Sequence, residues 1–302
     1  MAADGSRLTS MDPWHEIEHA IGEAQGAPFA IESRAGVGGG CINECYVVRS
    51  RERAYFVKLN APSRLDMFTA EAAGLTEIAR SNTVRVPHPV CHGASAQASW
   101  LALEHMELRP GNERSMGKLG RNLARMHRVT GGQHGWHRDN TIGATPQINT
   151  GSGDWITFWR EQRLGFQLKL AAGKGHSRLV AHGERLMERL PAFFAGHSPS
   201  PSLLHGDLWS GNAAMEASGE PVIFDPAVYY GDREADLAMT ELFGAFPPLF
   251  YDAYGAEYPL DPGYPTRKHL YNLYHVLNHV NLFGGGYRAQ AERMIEQLLA
   301  LA

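Results

Sequence analysis

Apolar positions first recur at helical spacing where Trp14, Ile17 and Ile21 share a face, with Asp12 placed to cap the segment and Pro13 suited to its first position. The period then falls to two. Residues 30–59 predict a three-strand meander over 30–37, 44–49 and 54–59, interrupted by the run Gly38-Gly39-Gly40 and a charged turn at 50–53. A helix follows over 63–80, with Met67, Ala70, Leu75 and Ile78 near one face, and then two strands over 86–92 and 99–104. Past Glu107 the loop 108–112 interrupts regular structure, and helical patterns dominate over 116–128, 152–171, 176–194 and 266–283. A strand-rich stretch at 203–223 lies between the last two. The expectation is an α+β chain with a small antiparallel-sheet lobe, residues 1–107, and a larger, mainly helical lobe, residues 108–302.

Composition narrows the partners. The 302 residues are 43% hydrophobic, enough to bury a full core, and 28 Lys plus Arg against 32 Asp plus Glu give a net charge of −4. That balance lacks the basic footprint of a nucleic-acid binder. No apolar run reaches the length of a membrane span, and the first residues read neither as a basic nor as an apolar leader segment. Cys41, Cys45 and Cys91 have no C-x-x-C spacing and cannot all pair, so a reducing cytoplasm is the expected compartment.

One motif is set aside. His15-Glu16-Ile17-Glu18-His19 fits H-E-x-x-H and continues to Gly22, but Gln25 stands where a third histidine would complete an extended zinc motif. With 15 histidines in the chain, the match is read as coincidence.

The stronger signal is a set of parts in fixed order. In His205-Gly206-Asp207-Leu208-Trp209-Ser210-Gly211-Asn212, the acid and the amide stand five apart. In a kinase catalytic loop that spacing lets an Asp orient and deprotonate a hydroxyl while the Asn holds magnesium. Thirteen positions later, an apolar strand delivers Asp225, where a kinase places its second metal ligand. Upstream, Lys58 on the third strand and Glu71 on the next helix match the lysine–glutamate pair that anchors nucleotide phosphates. The glycine loop 37–43 is placed to cover phosphates with backbone amides. The strand 100–104 runs into a hinge-like segment, with Glu104 and Met106 as adenine-recognition candidates. Neither a G-x-x-x-x-G-K-[ST] loop nor a G-x-S-x-G elbow occurs.

These residues resemble the fructosamine kinase, or ketosamine 3-kinase, family of small-molecule kinases with a two-lobe protein-kinase-like fold. The resemblance runs nearly end to end. It is carried by Gly39-Gly40-Cys41-Ile42-Asn43, Phe56-Val57-Lys58, Glu71-Ala72-x-Gly74-Leu75 and Asn140-x-Ile142-Gly143-x-x-x-Gln147-x-Asn149. It continues with Trp155-x-x-Phe158, the stretch His205 to Asn212, Asp225-Pro226-Ala227 and Leu270-Tyr271-x-Leu273-Tyr274-His275-x-Leu277-Asn278-His279. The resemblance implies transfer of the ATP γ-phosphoryl group to the 3-hydroxyl of a fructosamine or ribulosamine, giving an unstable phosphate in a deglycation repair system. It implies Asp207 as base, Asn212 and Asp225 as Mg2+ ligands, Lys58 with Glu71 as phosphate anchor, and Gly39, Gly40, Cys41 and Asn43 in the phosphate loop. Trp209, Asp232, Asn278 and His279 are the candidates for the sugar. Cys41 is also a candidate redox-sensitive thiol through which a monomer would become a dimer. Competing readings are another hydroxyl kinase of the aminoglycoside type and a nucleotide-binding pseudokinase, with the four residues Lys58, Asp207, Asn212 and Asp225 counting against the latter. The acceptor is either a small ketosamine or a glycated protein lysine.

Overall fold

Asp12 accepts the Trp14 N–H at 3.3 Å and starts α1 (Pro13–Gln25), which stops at Gly26 in the left-handed region at φ 64°. Residues 12–38 and 42–302 are described by the structure, a computed structural model. Strands β1 (Ser33–Val37), β2 (Glu44–Arg49) and β3 (Ala54–Asn60) form the expected meander. Helix α2 (Leu65–Arg80) follows, then β4 (Pro89–Ala94) and β5 (Ser99–Glu104). The sheet is antiparallel throughout, in the order β1-β2-β3-β5-β4. Ile17 and Ile21 of α1 bury against Val48, Val57 and Trp100, so the helical face legible in the sequence is what closes one side of this sheet. In the register of β3, Lys58 stands between Cys45 of β2 and Leu101 of β5.

After Met106 the chain builds a second unit. It begins with β6 (Leu108–Arg109) and α3 (Glu113–Met126). Helix α3 starts three residues before the predicted stretch because Asn112 and Ser115 form a reciprocal capping box. A small hairpin, β7 (Asn140–Ile142) with β8 (Thr145–Gln147), leads to α4 (Trp155–Phe158). A π-helical turn, Trp159–Gly165, connects α4 to α5 (Phe166–Gly173), and α6 (Ser177–Phe193) follows. Next come β9 (Ser202–Leu204), β10 (Ala213–Glu216), β11 (Pro221–Ile223) and β12 (Tyr229–Gly231). The chain closes with α7 (Glu234–Leu242), α8 (Pro248–Glu257), α9 (Tyr264–Phe283) and α10 (Gly286–Leu301). Two of the small sheets matter for the chemistry: β11-β10-β6, and the pair β12-β9.

The two compact units are the described residues up to Ala72 with His88–Met106, and Ala73–Pro87 with Glu107–Ala302. This departs from the expected division at 107/108 in one respect. Residues 73–87 belong with the second unit: Arg85 bridges to Val222, and a Cβ on Gly74 would lie 3.1 Å from Val228. Three helices were not predicted. In α7 every residue from Glu234 to Thr240 is buried, so no polar face exists to reveal a helical period. The ten-residue α8 is short, and α10 buries only Ala291, Ile295 and Leu298.

Candidate active site

Strand β9 delivers His205 and the catalytic loop. His205 is fully buried, and burial pushes its imidazole pKa down. Its Nε2 lies 2.9 Å from the Phe224 carbonyl, which can only accept, so Nε2 carries the proton and Nδ1 accepts the Asp207 N–H at 3.2 Å. Gly206 sits at φ 83°, and a Cβ there would come 2.1 Å from the Ala227 carbonyl oxygen. The loop therefore needs glycine both for its backbone angle and for the close approach of residues 205 and 227, whose backbones hydrogen-bond at 2.8 Å. Gly206→Ala is expected to destabilise the fold by about 2–4 kcal/mol and to lower turnover more than tenfold. Thermal unfolding and phosphotransfer assays on the same preparation check this.

The loop is held from below by a residue the motif reading did not single out. Asp236 on α7 accepts the His205 N–H at 2.7 Å, the Gly206 N–H at 2.8 Å and the His127 ring at 3.1 Å. Burial alone would raise its pKa, but the His127 hydrogen bond, the neighbouring histidines and the loop amides overcome that and hold the carboxylate below its usual range. His127 is buried and its pKa is pushed down, so the neutral ring donates from Nε2 and takes a hydrogen bond at Nδ1 from the Tyr254 hydroxyl, 2.8 Å away. Arg233 donates in turn to that hydroxyl at 3.0 Å. An acid in the apolar run Ala235-Asp236-Leu237-Ala238 was the available sequence signal.

At the loop's centre, burial first and then the charges of Asp225 and Asp236 push the Asp207 pKa up to about 7. Asn212 donates its amide to the Asp207 backbone carbonyl at 2.8 Å and more weakly to the carboxylate at 3.4 Å. Because the Asn212 nitrogen is engaged in this way, its oxygen is the atom available to a metal ion. A folded pKa of about 7 against about 3.9 unfolded means that the neutral acid is favoured by folding. That contribution is complete below about pH 4 and is lost as pH rises through about 7. In metal-free protein, Asp207→Asn is therefore expected to be more stable than wild type. The gap in melting temperature should widen from about pH 4 to about pH 7 and reach about 8 °C above it, as differential scanning fluorimetry in EDTA would read.

Strand β11 carries the chain to Phe224, whose N–H donates to the Asn212 carbonyl at 3.1 Å and so brings the next residue, Asp225, to the loop. Asp225 is exposed and takes φ 56°, an uncommon conformation for a non-glycine residue. A buried amide cluster steadies the following residues. Asn140 donates to the Val228 carbonyl at 2.8 Å, and Gln147 donates to the Ala227 carbonyl at 3.0 Å and to the Asn140 side chain at 2.8 Å. Asn149 donates to the same Asn140 oxygen, and Tyr274 caps Gln147 at 2.8 Å. From the π turn, Arg163 reaches inward to the Asn149 side chain at 2.8 Å and lies over the rings of Tyr229 and Phe158. The polar motif at 140–149 thus supports the backbone just after Asp225. Two oxygen donors of this kind suit Mg2+, which takes one or two protein ligands and completes its shell with water and phosphate.

In the first unit, Lys58 is 4% exposed and its ammonium lies 2.6 Å from the Glu71 carboxylate. Asn60 donates to the Asn43 side chain at 2.7 Å and to the Ile42 carbonyl at 3.0 Å, which ties down one end of the glycine loop. Gly39, Gly40 and Cys41 lie outside the described residues. Glu104 ends β5 with its N–H on the His88 carbonyl at 2.9 Å, and Met106 follows two residues on.

The sugar candidates divide. Trp209 is half-buried, over Gly211, where a Cβ would meet the indole at 2.4 Å, and its ring meets Phe243 at 6.2 Å. Phe243 in turn packs on His279 at 4.9 Å. Asp232 is corrected: it is 1% exposed and accepts from the Tyr271 hydroxyl at 2.5 Å, from His197 at 2.7 Å and from the Glu234 N–H at 3.0 Å. Asn278 is corrected in the same way, buried and donating to the Ile142 carbonyl at 3.2 Å with Gln167 on its oxygen at 3.4 Å. Both polar groups serve packing. His15 and His19 are exposed on α1, and no third metal-type ligand joins them among the described residues. The one such grouping there, His197, Glu234 and Asp261, has both carboxylates paired with Arg267.

A buried, amide-braced loop that presents Asp207 beside Asn212, followed by Asp225, on this fold defines a phosphotransferase of the protein-kinase-like class. The sequence profile of fructosamine kinase matches residues 13–301, and the chain belongs to the fructosamine kinase family. Among its relatives, a "Probable ketoamine kinase" of Synechocystis is 50% identical over 298 residues, 97% of this chain and 99% of the relative. A chloroplastic protein-ribulosamine 3-kinase of Oryza sativa subsp. japonica is 42% identical, covering 92% of this chain and 82% of that one. A crystal structure from Haemophilus somnus, assigned as a fructosamine-3-kinase, superposes with a TM-score of 0.88 at 31% identity, covering 95% of this chain and 97% of that one. No helix among the described residues is long and apolar enough to cross a membrane.

Proposed function

We propose that this family member is an ATP- and Mg2+-dependent ketosamine 3-kinase that phosphorylates the 3-hydroxyl of fructosamine or ribulosamine adducts in a cytoplasmic deglycation repair. The observation that carries the reading is the loop geometry, Asn212 donating to the Asp207 carbonyl at 2.8 Å and the Phe224 N–H on the Asn212 carbonyl at 3.1 Å bringing Asp225 to them, in a chain of the fructosamine kinase family. Burial and the neighbouring carboxylates push the Asp207 pKa up to about 7, a basicity matched to taking the proton of a sugar hydroxyl near neutral pH. The relatives' names, ketoamine kinase and protein-ribulosamine 3-kinase, support the acceptor class.

In this reading Asp207 orients the hydroxyl and accepts its proton at a carboxylate oxygen as the oxygen attacks the γ-phosphorus. Asn212 and Asp225 hold Mg2+, which neutralises charge on the phosphates when bound. Lys58, fixed by Glu71, anchors the phosphates, and Gly39, Gly40, Cys41 and Asn43 supply the covering loop. Glu104 and Met106 flank the adenine with backbone groups. Trp209 and His279 remain on the acceptor side. A redox-sensitive dimer through Cys41 belongs to the same proposal, read by non-reducing chromatography of wild type and Cys41→Ser.

The test is acceptor-dependent ADP release by purified protein with ATP and Mg2+. Fructosyl-lysine and ribulosyl-lysine are compared with aminoglycosides. Release with a ketosamine alone is expected. Release with an aminoglycoside alone, or nucleotide binding with no transfer, would overturn the reading.

A further inference from the structure

The ring of Trp209, two residues past the catalytic base, begins a chain of aromatic contacts that the phosphotransfer reaction does not require. Trp209 meets Phe243 edge-on at 6.2 Å, Phe243 meets His279 at 4.9 Å, and His279 meets Phe283 at 5.5 Å and Tyr287 at 4.9 Å. The glycines between α9 and α10 make this possible. Gly284 and Gly285 at φ 65° and 59° turn the chain so that Tyr287, in the first turn of α10, returns to His279 on α9.

The strip does not behave as core. Trp209, Phe243, His279 and Tyr287 are half-buried, and Phe283 is 59% exposed, the single aromatic among the exposed large hydrophobic side chains of the described residues. Phe283 at the far end of the strip is open to solvent, and Trp209 at its near end follows Asp207 by two residues. His279 is fixed in the strip by its Nδ1–H, which donates to the His275 carbonyl at 2.7 Å. Its Nε2 has no protein hydrogen bond among the described residues.

We propose that this strip receives the amine side of the acceptor, namely the secondary ammonium of the ketosamine and the lysine methylenes beyond it. The inference rests on the ketosamine kinase reading. With the 3-hydroxyl at Asp207, the nitrogen on the sugar's first carbon is two carbons from the reacting centre and enters the region next to Trp209. Aromatic faces attract an alkylammonium, and a lysine stem lies along apolar surface with its cationic end held by rings. His279 Nε2 is placed to accept an N–H of the ammonium.

The experiment compares two acceptors of the same sugar, the lysine Nε-adduct and the methylamine adduct, which lacks the stem. Both are assayed with wild type, Phe283→Ala, Tyr287→Ala and the conservative Phe283→Trp. The ratio of kcat/KM for the lysine adduct to that for the methylamine adduct is expected to fall about tenfold in each alanine variant, through KM, and to be retained in Phe283→Trp. An unchanged ratio, whether both acceptors lose equally or neither loses, would overturn the subsite and leave the kinase reading standing. Absence of wild-type turnover on both adducts would overturn the kinase reading and the subsite together. Turnover of the methylamine adduct by the variants reports that they fold.

Discussion

Replacing Asp207 by Asn is expected to lower kcat about 10³-fold while leaving KM for ATP within about threefold. The substitution keeps the size of the side chain, and the Asn212 amide still finds the residue 207 backbone carbonyl at 2.8 Å, so the loop keeps its shape. What is lost, in the proposed reaction, is the carboxylate oxygen that takes the hydroxyl proton. Because the wild-type carboxyl is pushed up to about 7, activity should fall on the acid side as that group becomes protonated, and the residual activity of the variant should lack this limb. Steady-state kinetics across pH 5.5 to 8.5, a range of about three units around that value, reads both effects. Retention of more than about a tenth of wild-type kcat would remove Asp207 from the role of base.

Asp236→Ala should be nearly as damaging, by a different route. The variant leaves the His205 and Gly206 amides and the His127 Nε2–H without their acceptor in a buried setting, which costs about 3–5 kcal/mol. The expected result is a melting temperature lower by about 8 °C or more and kcat lowered at least tenfold. The Asn variant, which keeps one acceptor oxygen, should recover part of both. The loss in kcat measured well below the unfolding transition separates loop misplacement from unfolding. A stable, fully active Asp236→Ala would show that the loop holds its shape without this anchor.

The two roles differ in how far they could be read from the chain. The grouping of Asp207, Asn212 and Asp225 was legible because all three lie on one loop and the strand after it, so that their spacing survives in one dimension. Lys58 and Glu71 were legible because strand alternation and a helix face placed them, and the structure joins them at 2.6 Å. Asp236 was not, because two of its three partners are backbone amides thirty and thirty-one residues away, which leave no mark on residue type, and the third, His127, lies over a hundred residues off. Asp232 and Asn278 were misread for a related reason. A polar residue in a motif looks like a ligand contact until the buried partner, Tyr271 for one and Ile142 for the other, is seen. Helix α7, buried on every side from Glu234 to Thr240, erased the periodicity that revealed α1 and α3. The polar motif at 140–149 was visible as residues, but its function as a brace for the carbonyls of 227 and 228 required the fold.

In the proposed reaction Asp207 activates the hydroxyl on the third carbon of a ketosamine. It is tested most directly by NMR of the product formed from ribulosyl-lysine or fructosyl-lysine, ATP and Mg2+, in wild type and in Asp207→Asn. A phosphorus-coupled proton on the third carbon is expected with wild type, and no such product over the same interval with the variant. Phosphate on any other hydroxyl, or an equal rate of product formation by the variant, would contradict it.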